Sequence, residues 1–161
     1  MNQVFLSLGS NSGRRKANLN KAIRLLGIIT GQVRKVSSLY ETEPWGCTSD
    51  MHFYNQVVEL LTQLDPKELL VKLHQIELLC GRIPVAERFA PRPLDIDILF
   101  YENRIISAKD LKIPHSLIPM RKFVLVPLAE IAPDIIHPVL CKTISQLLEE
   151  CEDGKQVLKI R

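Results

Sequence analysis

Apolar and polar positions change their rhythm along the chain, and each change marks an element. Val4-Phe5-Leu6-Ser7-Leu8 is a short apolar run that reads as a strand, closed by Gly9-Ser10-Asn11. Leu19, Ala22, Ile23 and Leu26 then recur at helical spacing, with Gly27 as the expected helix end. Residues 33–43 contain several β-branched and aromatic side chains and read as one extended run, broken by Pro44-Trp45-Gly46. Residues 53–62 read as a third strand. The next helix carries the clearest start signal: Asp65 as cap, Pro66 at the first helical position and Glu68 completing a capping box. Its apolar stripe is Leu69, Leu73, Ile76 and Cys80, and Gly81 follows it. Residues 82–92 are irregular. Residues 94–101 form a fourth strand, and Glu102-Asn103 reads as a turn into a short returning strand at Ile105-Ile106. Two shorter helices are expected near 123–131 and 143–151, the second opened by a Thr143/Gln146 capping box.

The order strand, helix, strand, strand, helix, strand is that of a ferredoxin-like βαββαβ core. The fold class expected is therefore α+β with a mainly antiparallel sheet, plus an appended hairpin and C-terminal helices. A doubly wound parallel sheet would need a helix between the two middle strands. A length of 161 residues fits one domain, 1–161.

Composition narrows the class without naming an activity. A hydrophobic fraction of 46% with 24% charged residues is that of a globular protein and excludes wholesale disorder. A net charge of +3 is too small to argue for a nucleic-acid or membrane-surface protein. No apolar run approaches the roughly 20 residues a bilayer span needs, and the N-terminus lacks a signal-sequence pattern. Cys47, Cys80, Cys141 and Cys151 form no CxxC pair and have no histidine at zinc-ligand spacing, so they read as reduced structural thiols of a cytoplasmic protein.

The candidate chemistry lies on the fourth strand. Side chains alternate there, so Leu94, Ile96, Ile98 and Phe100 are expected on one face, packed on a core, and Asp95 and Asp97 on the other. Carboxylates two residues apart on a strand sit roughly 6.5–7 Å apart and can converge on a cation. Oxygen ligands without cysteine favour Mg²⁺ or Mn²⁺. A solvated acidic face is the competing reading. Arg82, Arg88 and Arg92 in the neighbouring irregular stretch tip the balance, because guanidinium forks beside a metal-binding pair suit a polyphosphate. Arg14, Arg15 and Lys16 read as a solvated helix start. Gly9-Ser10-Asn11 reads as a tight turn in preference to a phosphate cradle. His115, between Pro114 and Arg121, can donate to a phosphate or leaving group. Phe53 and Asn55 suit stacking and hydrogen bonding to a flat heterocycle, and equally suit ordinary packing.

With these residues in place the chain resembles the 6-hydroxymethyl-7,8-dihydropterin pyrophosphokinase family of folate biosynthesis. The resemblance runs from Leu8-Gly9-Ser10-Asn11 to 123–133, and its most specific stretch is Arg88-Phe89-Ala90-Pro91-Arg92-Pro93-Leu94-Asp95-Ile96-Asp97-Ile98. Ser38-Leu39-Tyr40-Glu41-Thr42, Phe53-Tyr54-Asn55, Ile76-Glu77 with Gly81-Arg82, and Ile113-Pro114-His115 with Arg121 and Phe123 also match. The resemblance implies transfer of pyrophosphate from ATP to the hydroxymethyl group of the pterin, leaving AMP, with two Mg²⁺ held by Asp95 and Asp97. It implies that the pterin stacks between Phe53 and Phe123 and is read by Asn55 and by the chain around Thr42, Glu43 and Trp45, with Asp95 beside it. Arg82, Arg92, His115 and Arg121 would contact the triphosphate, His74 and Glu77 would line the nucleotide site, and the backbone near Ile98, Leu111 and Lys112 would hold the adenine. Arg82, Arg92, Asp95, Asp97 and His115 form the expected catalytic set. Pro84, Phe89, Ser116 and His74 depart from the residues frequent at those positions. The partners expected are ATP and the reduced pterin, not nucleic acid or membrane, for a monomer. The rival readings are another Mg²⁺-dependent phosphoryl or nucleotidyl transferase and a ferredoxin-like RNA-binding module, whose aromatic, basic sheet face sits badly with the acid pair.

Overall fold

Thirteen elements run through the computed structural model, which describes residues 1–44, 51–84 and 90–161. In chain order they are β1 (Asn2–Ser10), α1 (Arg15–Ile29), β2 (Gln32–Val36), β3 (Tyr40–Thr42), β4 (Phe53–Thr62), α2 (Pro66–Leu79), β5 (Asp95–Tyr101), β6 (Ile106–Ser107), β7 (Lys112–Ile113), a 3-10 turn (Ile118–Met120), α3 (Lys122–Ile131), α4 (Ile144–Glu150) and β8 (Val157–Lys159). The main sheet has the order β5-β1-β4-β3-β8, with β2 also paired to β4 and every neighbour antiparallel. The crossovers through α1 and α2 each step over one strand, β4 and β1 respectively, which is the ferredoxin-like weave expected.

Each sheet face carries its own core. Val4, Leu6, Leu8, Val58, Leu60, Ile96 and Ile98 point to the side covered by Leu19, Ala22 and Leu26 of α1 and Leu69, Leu73 and Ile76 of α2. Phe5, Val57, Leu99 and Phe100 point to the other side, under Val124, Leu125 and Leu128 of α3 and Ile144 and Leu147 of α4. Both capping boxes form. The Asp65 carboxylate accepts from the Lys67 and Glu68 amides at 2.9 Å, and Glu68 accepts from the Asp65 amide at 2.9 Å. Thr143 and Gln146 exchange the same pair of bonds at the start of α4.

Several local expectations are corrected, each for a tertiary reason. Gly27 does not end α1, which continues to Ile29, where the Thr30 amide and hydroxyl both donate to the Leu26 carbonyl. The glycine that the exit requires is Gly31, at φ 152°, where a Cβ would lie 2.1 Å from the Leu61 carbonyl oxygen. The extended run 33–43 splits into β2 and β3 because Ser37 enters the ladder with its side chain: its amide donates to the Val57 carbonyl and its hydroxyl accepts from the Val57 amide, both at 2.9 Å. Phe100 does not share the face of Ile98. The β1–β5 register shifts between Phe5, which faces Phe100, and Leu6, which faces Ile98, so Leu99 is an inserted residue and Phe100 moves to the α3/α4 side. Ile105-Ile106 does not return along β5; Ile106–Ser107 pairs with Lys112–Ile113 as a separate hairpin. Strand β8 was not foreseen. It has no alternating pattern of its own and forms by pairing with β3.

Because Asp65 satisfies two orphan amides of α2, Asp65→Ala is expected to cost about 1 kcal/mol. A lower urea midpoint with an unchanged slope checks this, and an unmoved midpoint contradicts it.

Candidate active site

Strand β5 begins at the acid pair, and the register shows what lies beside it. Asp95 is opposite Gly9 of β1, Gly9 is opposite Asn55 of β4, and Asn55 is opposite Tyr40 of β3. Directly opposed residues share a face, so Asp95, Gly9 and Asn55 form one row, with Asp97 and Ser7 in the next. This is the face that α3 and α4 cover further along β5, and the acids lie where that cover stops.

Arginines converge on Asp95. Arg82 Nη1 lies 3.0 Å from Asp95 Oδ1, and Arg92 Nη1 lies 3.3 Å from Asp95 Oδ2. Glu77 anchors Arg82: its Oε2 lies 2.8 Å from the same Nη1, while its Oε1 accepts from the Ile96 amide at 2.8 Å. Glu77 is almost fully buried, and burial, reinforced by Asp95 and Asp97, raises its carboxyl to about 7 against the pull of the Ile96 amide and Arg82. Burial likewise raises Asp97 to about 6, with Asp95 adding repulsion and Arg121, Arg92 and Arg82 opposing it. The pair carries more negative charge than its surroundings balance at Asp97.

A cleft of about 500 Å³ opens from the pair towards α2 and the β6–β7 hairpin. His74, Glu77, Arg82, Arg92, Ile98, Leu111, Lys112, His115 and Arg121, the whole set expected around a nucleotide, line it together with both aspartates. The His115 Nδ1 accepts from the Leu117 amide at 3.2 Å, and burial, then Arg121, lowers the ring to about 4. A neutral His115 thus carries its proton on Nε2.

On the other side of Asp95 lie Thr42, Phe53 and Asn55, while Phe123, on the first turn of α3, packs against the core on that face. Asn55 is buried and donates to the Thr42 hydroxyl, which orients its carboxamide. Between Asn55 and Asp95 there is only Gly9, where a Cβ would come 2.8 Å from Asn55 Oδ1 and 3.5 Å from the Phe53 ring. With no side chain at Gly9, the groove between Asp95 and Asn55 is entered from the β4 side by the Asn55 carboxamide and the Phe53 ring. The Arg121 guanidinium, which lines the cleft, lies 5.5 Å from the Phe123 ring centroid. Glu43 lies at the rim, 3.8 Å from Lys155. Trp45, Arg88 and Phe89 lie outside the described residues.

Residues 5–133, which carry every side chain of the cleft and the groove, match the family described as 7,8-dihydro-6-hydroxymethylpterin-pyrophosphokinase. The chain belongs to that family. It is 40% identical over 152 residues to the 2-amino-4-hydroxy-6-hydroxymethyldihydropteridine pyrophosphokinase of Aquifex aeolicus, covering 93% of this chain and 92% of that one. It is 42% identical over 150 residues to the Synechocystis protein of the same name, covering 92% and 76% of the two chains. The fold is that of the Plasmodium falciparum HPPK-DHPS structure with pteroate, at a TM-score of 0.77 and 20% identity over 92% of this chain and 42% of that one.

Within this pyrophosphokinase chain, two residues matter that the sequence pattern did not single out as site residues. Gly9 floors the groove. Asn11, expected to form a tight turn, is buried and clamps the chain at Arg92: its Oδ1 accepts from the Arg92 amide at 2.6 Å and its own amide donates to the Arg92 carbonyl at 3.0 Å. Only the Leu8-Gly9-Ser10-Asn11 match hinted at either. The basic helix start is also less solvated than expected, since Arg15 stacks 3.8 Å over the Tyr54 ring and donates to the His52 carbonyl.

The raised carboxyls set the sign of a pH effect. Asp97 at about 6 against an ordinary 3.8, and Glu77 at about 7 against 4.5, keep protons in the native state that the unfolded chain has lost. These two carboxyls therefore make the substrate-free protein less stable as pH rises from about 4 to about 7, while the lowered His115 contributes the opposite slope of one group between about 4 and 6.5. Asp97→Asn is expected to flatten the lower part of that slope and to raise the melting temperature near pH ~8. Calorimetry across the range checks both, and parallel profiles for variant and parent would refute the account.

Proposed function

We propose that this chain transfers the pyrophosphoryl group of ATP to the hydroxymethyl oxygen of 6-hydroxymethyl-7,8-dihydropterin, releasing AMP. The observation that carries the reading is the meeting of two different recesses at Asp95: a cleft lined by Arg82, Arg92, Arg121 and His115, and a groove floored by Gly9 and edged by Asn55. The first suits a triphosphate, since guanidinium groups and a neutral His115 Nε2–H all donate. The second suits a flat heterocycle, with Phe53 and Phe123 to stack on it and Asn55 to read its edge. The names of the family and of its relatives supply the substrates.

Asp95 and Asp97 are the residues we assign to Mg²⁺, as two ions. Among the described residues no group of three or more His, Cys, Asp or Glu is placed to hold a metal ion, so these two carboxylates would hold the ions together with phosphate and water oxygens, as Mg²⁺ prefers. The elevated carboxyl of Asp97 fits, because a cation would offset the burial and the Asp95 repulsion that raise it. When bound, the metal neutralises phosphate charge and acidifies a coordinated hydroxyl. The chain's own residues do the positioning. Glu77 fixes Arg82, Asn11 fixes the Arg92 backbone, and Arg121 spans the two substrates. The pterin hydroxyl gives its proton to water, its oxygen bonds the β-phosphorus, the bond from that phosphorus to the bridging oxygen breaks, and AMP leaves with the bridging oxygen. In-line geometry and charge neutralisation account for the catalysis asked of these side chains.

Incubation with ATP, Mg²⁺ and the reduced hydroxymethylpterin is expected to give AMP only when the pterin is present. ADP as the nucleotide product would mean a simple kinase, and free pyrophosphate a nucleotidyl transferase. Asp97→Ala is expected to lower kcat by about 10³ or more with the circular-dichroism spectrum unchanged, and near-parental turnover would remove the metal assignment.

The groove floor gives a separate prediction. Gly9→Ala pushes a methyl group against Asn55 and Phe53. It is expected to raise KM for the pterin about tenfold and leave KM for ATP within about twofold. Equal effects on both substrates would show that the groove is not the pterin site.

A further inference from the structure

The walls of the groove belong to different layers of the molecule. Thr42 and Glu43 extend from β3 in the sheet, whereas Phe123 stands on the first turn of α3, packed above the sheet. Their separation decides whether a flat ring can be gripped. The far end of α3 is tied to the β3 side by its own side chain: Glu130 accepts from the Ser38 amide and hydroxyl and from the Tyr40 hydroxyl. The near end, which carries Phe123, is held differently.

Helix α3 has no cap of its own. Its N-cap residue, Arg121, makes no side-chain capping bond, and the Lys122 amide donates instead to Asp153 Oδ2 at 3.1 Å, from 31 positions further along the chain. A carboxylate there also faces the positive end of the helix dipole. The other oxygen of Asp153 accepts from the Lys155 amide at 3.0 Å and turns the chain towards the sheet. From there Val157–Lys159 pairs along β3, with Val157 opposite Thr42, Leu158 opposite Glu41 and Lys159 opposite Tyr40, and the Ile160 amide donates to the Leu39 carbonyl at 2.8 Å. Lys155 also reaches Glu43, at 3.8 Å. The segment thus touches one wall through the α3 cap and the other through a strand ladder. It lies wholly beyond residues 5–133, the stretch the family match covers.

We propose that the C-terminal segment 153–160 is a strap that sets the spacing of the two walls of the pterin groove, with Asp153 as the positioning residue that joins it to α3. The inference rests on the assignment of that groove to the pterin. Asp153 touches no substrate; it acts through Phe123 on one side and Thr42 on the other. From this end of α3 the nucleotide cleft takes only Arg121, its other walls being mostly α2, β5 and the β6–β7 hairpin, so the effect of loosening the strap falls mainly on the pterin.

The test uses the full chain with Asp153→Ala and Asp153→Ser, and reads KM and direct binding for ATP and for the reduced pterin separately. Asp153→Ala is expected to weaken the pterin about tenfold and ATP less than about twofold. Asp153→Ser, which keeps a capping oxygen, is expected to recover most of the loss. A general loss of structure would weaken both substrates alike and would not respond to the choice of cap, and that outcome overturns the strap, as does no change in either. Amide hydrogen exchange on the substrate-free protein gives a reading independent of the pterin. With Asp153→Ala, exchange is expected to accelerate together at Lys122 and across Tyr40–Thr42, whereas acceleration at Lys122 alone means that the two walls are not coupled. If the parent protein binds no pterin, the assignment of the groove falls, and the exchange result still decides whether the strap joins α3 to β3.

Discussion

Everything at the centre of this molecule is arranged around two carboxylates that a folded chain would ordinarily keep apart. Asp95 and Asp97 project from the same face of a strand whose other side chains build both cores. The arginines pair with Asp95, while burial and its neighbour raise Asp97. Glu77, Asp95 and Asp97 face Arg82, Arg92 and Arg121 around one cleft, which Lys109, Asp110 and Lys112 also line, so the fully ionised lining carries one net positive charge. Protonation of the two elevated carboxyls makes the cleft more positive, which favours a polyphosphate. In the proposed reading a triphosphate adds negative charge beside Asp97, which the assigned cations would offset. The cluster that costs the empty protein stability would then be the one that its ligands complete.

The scaffold around that pair was legible where its signals were local. Helix α2 could be read from Asp65, Pro66 and Glu68 because a capping box involves residues three apart and no tertiary partner. The acid pair could be read because strand alternation is equally local. What supports the pair was hidden, since it is made by residues distant in sequence. Glu77 reaches the Ile96 amide across 19 positions, and Asn11 reaches the Arg92 amide across 81. Ser37 shows the same limit: nothing in its neighbours says that its hydroxyl will replace a rung of the ladder opposite Val57. Strand β8 is the extreme case, three residues, Val157-Leu158-Lys159, that become a strand only because β3 offers them an edge.

Recognition by absence is harder to read than recognition by a side chain. A glycine at the end of a strand signals a turn, and Gly9 looked like one. Its role appears only when the register sets it between Asp95 and Asn55, so that the row across β5, β1 and β4 holds an acid, a gap and an amide. Asp95 and Asn55 stand about two strand spacings apart, on the order of 10 Å, with the Asn55 carboxamide leaning over Gly9, and the pterin proposed to lie there would have an amide at one edge and the acid pair at the other. The Thr42 hydroxyl accepts from Asn55, which leaves the carboxamide oxygen to face the groove.

The bulge in β5 explains why groove and cleft meet at one point. Along a regular strand Asp95, Asp97 and Leu99 would share a face and Phe100 would return to the α1/α2 core. The inserted Leu99 instead sets two large apolar side chains on the acid face, one after the other. That concentration of apolar surface gives α3 and α4 something to bury, and their layer stops where the acids begin. The first residues of α3 therefore sit at the edge of the layer, with the Arg121 guanidinium in the cleft and 5.5 Å from the Phe123 ring centroid. A one-residue irregularity in a core strand thus fixes how far the covering helices extend, and with it the line along which a phosphate donor and a stacked acceptor can be brought together.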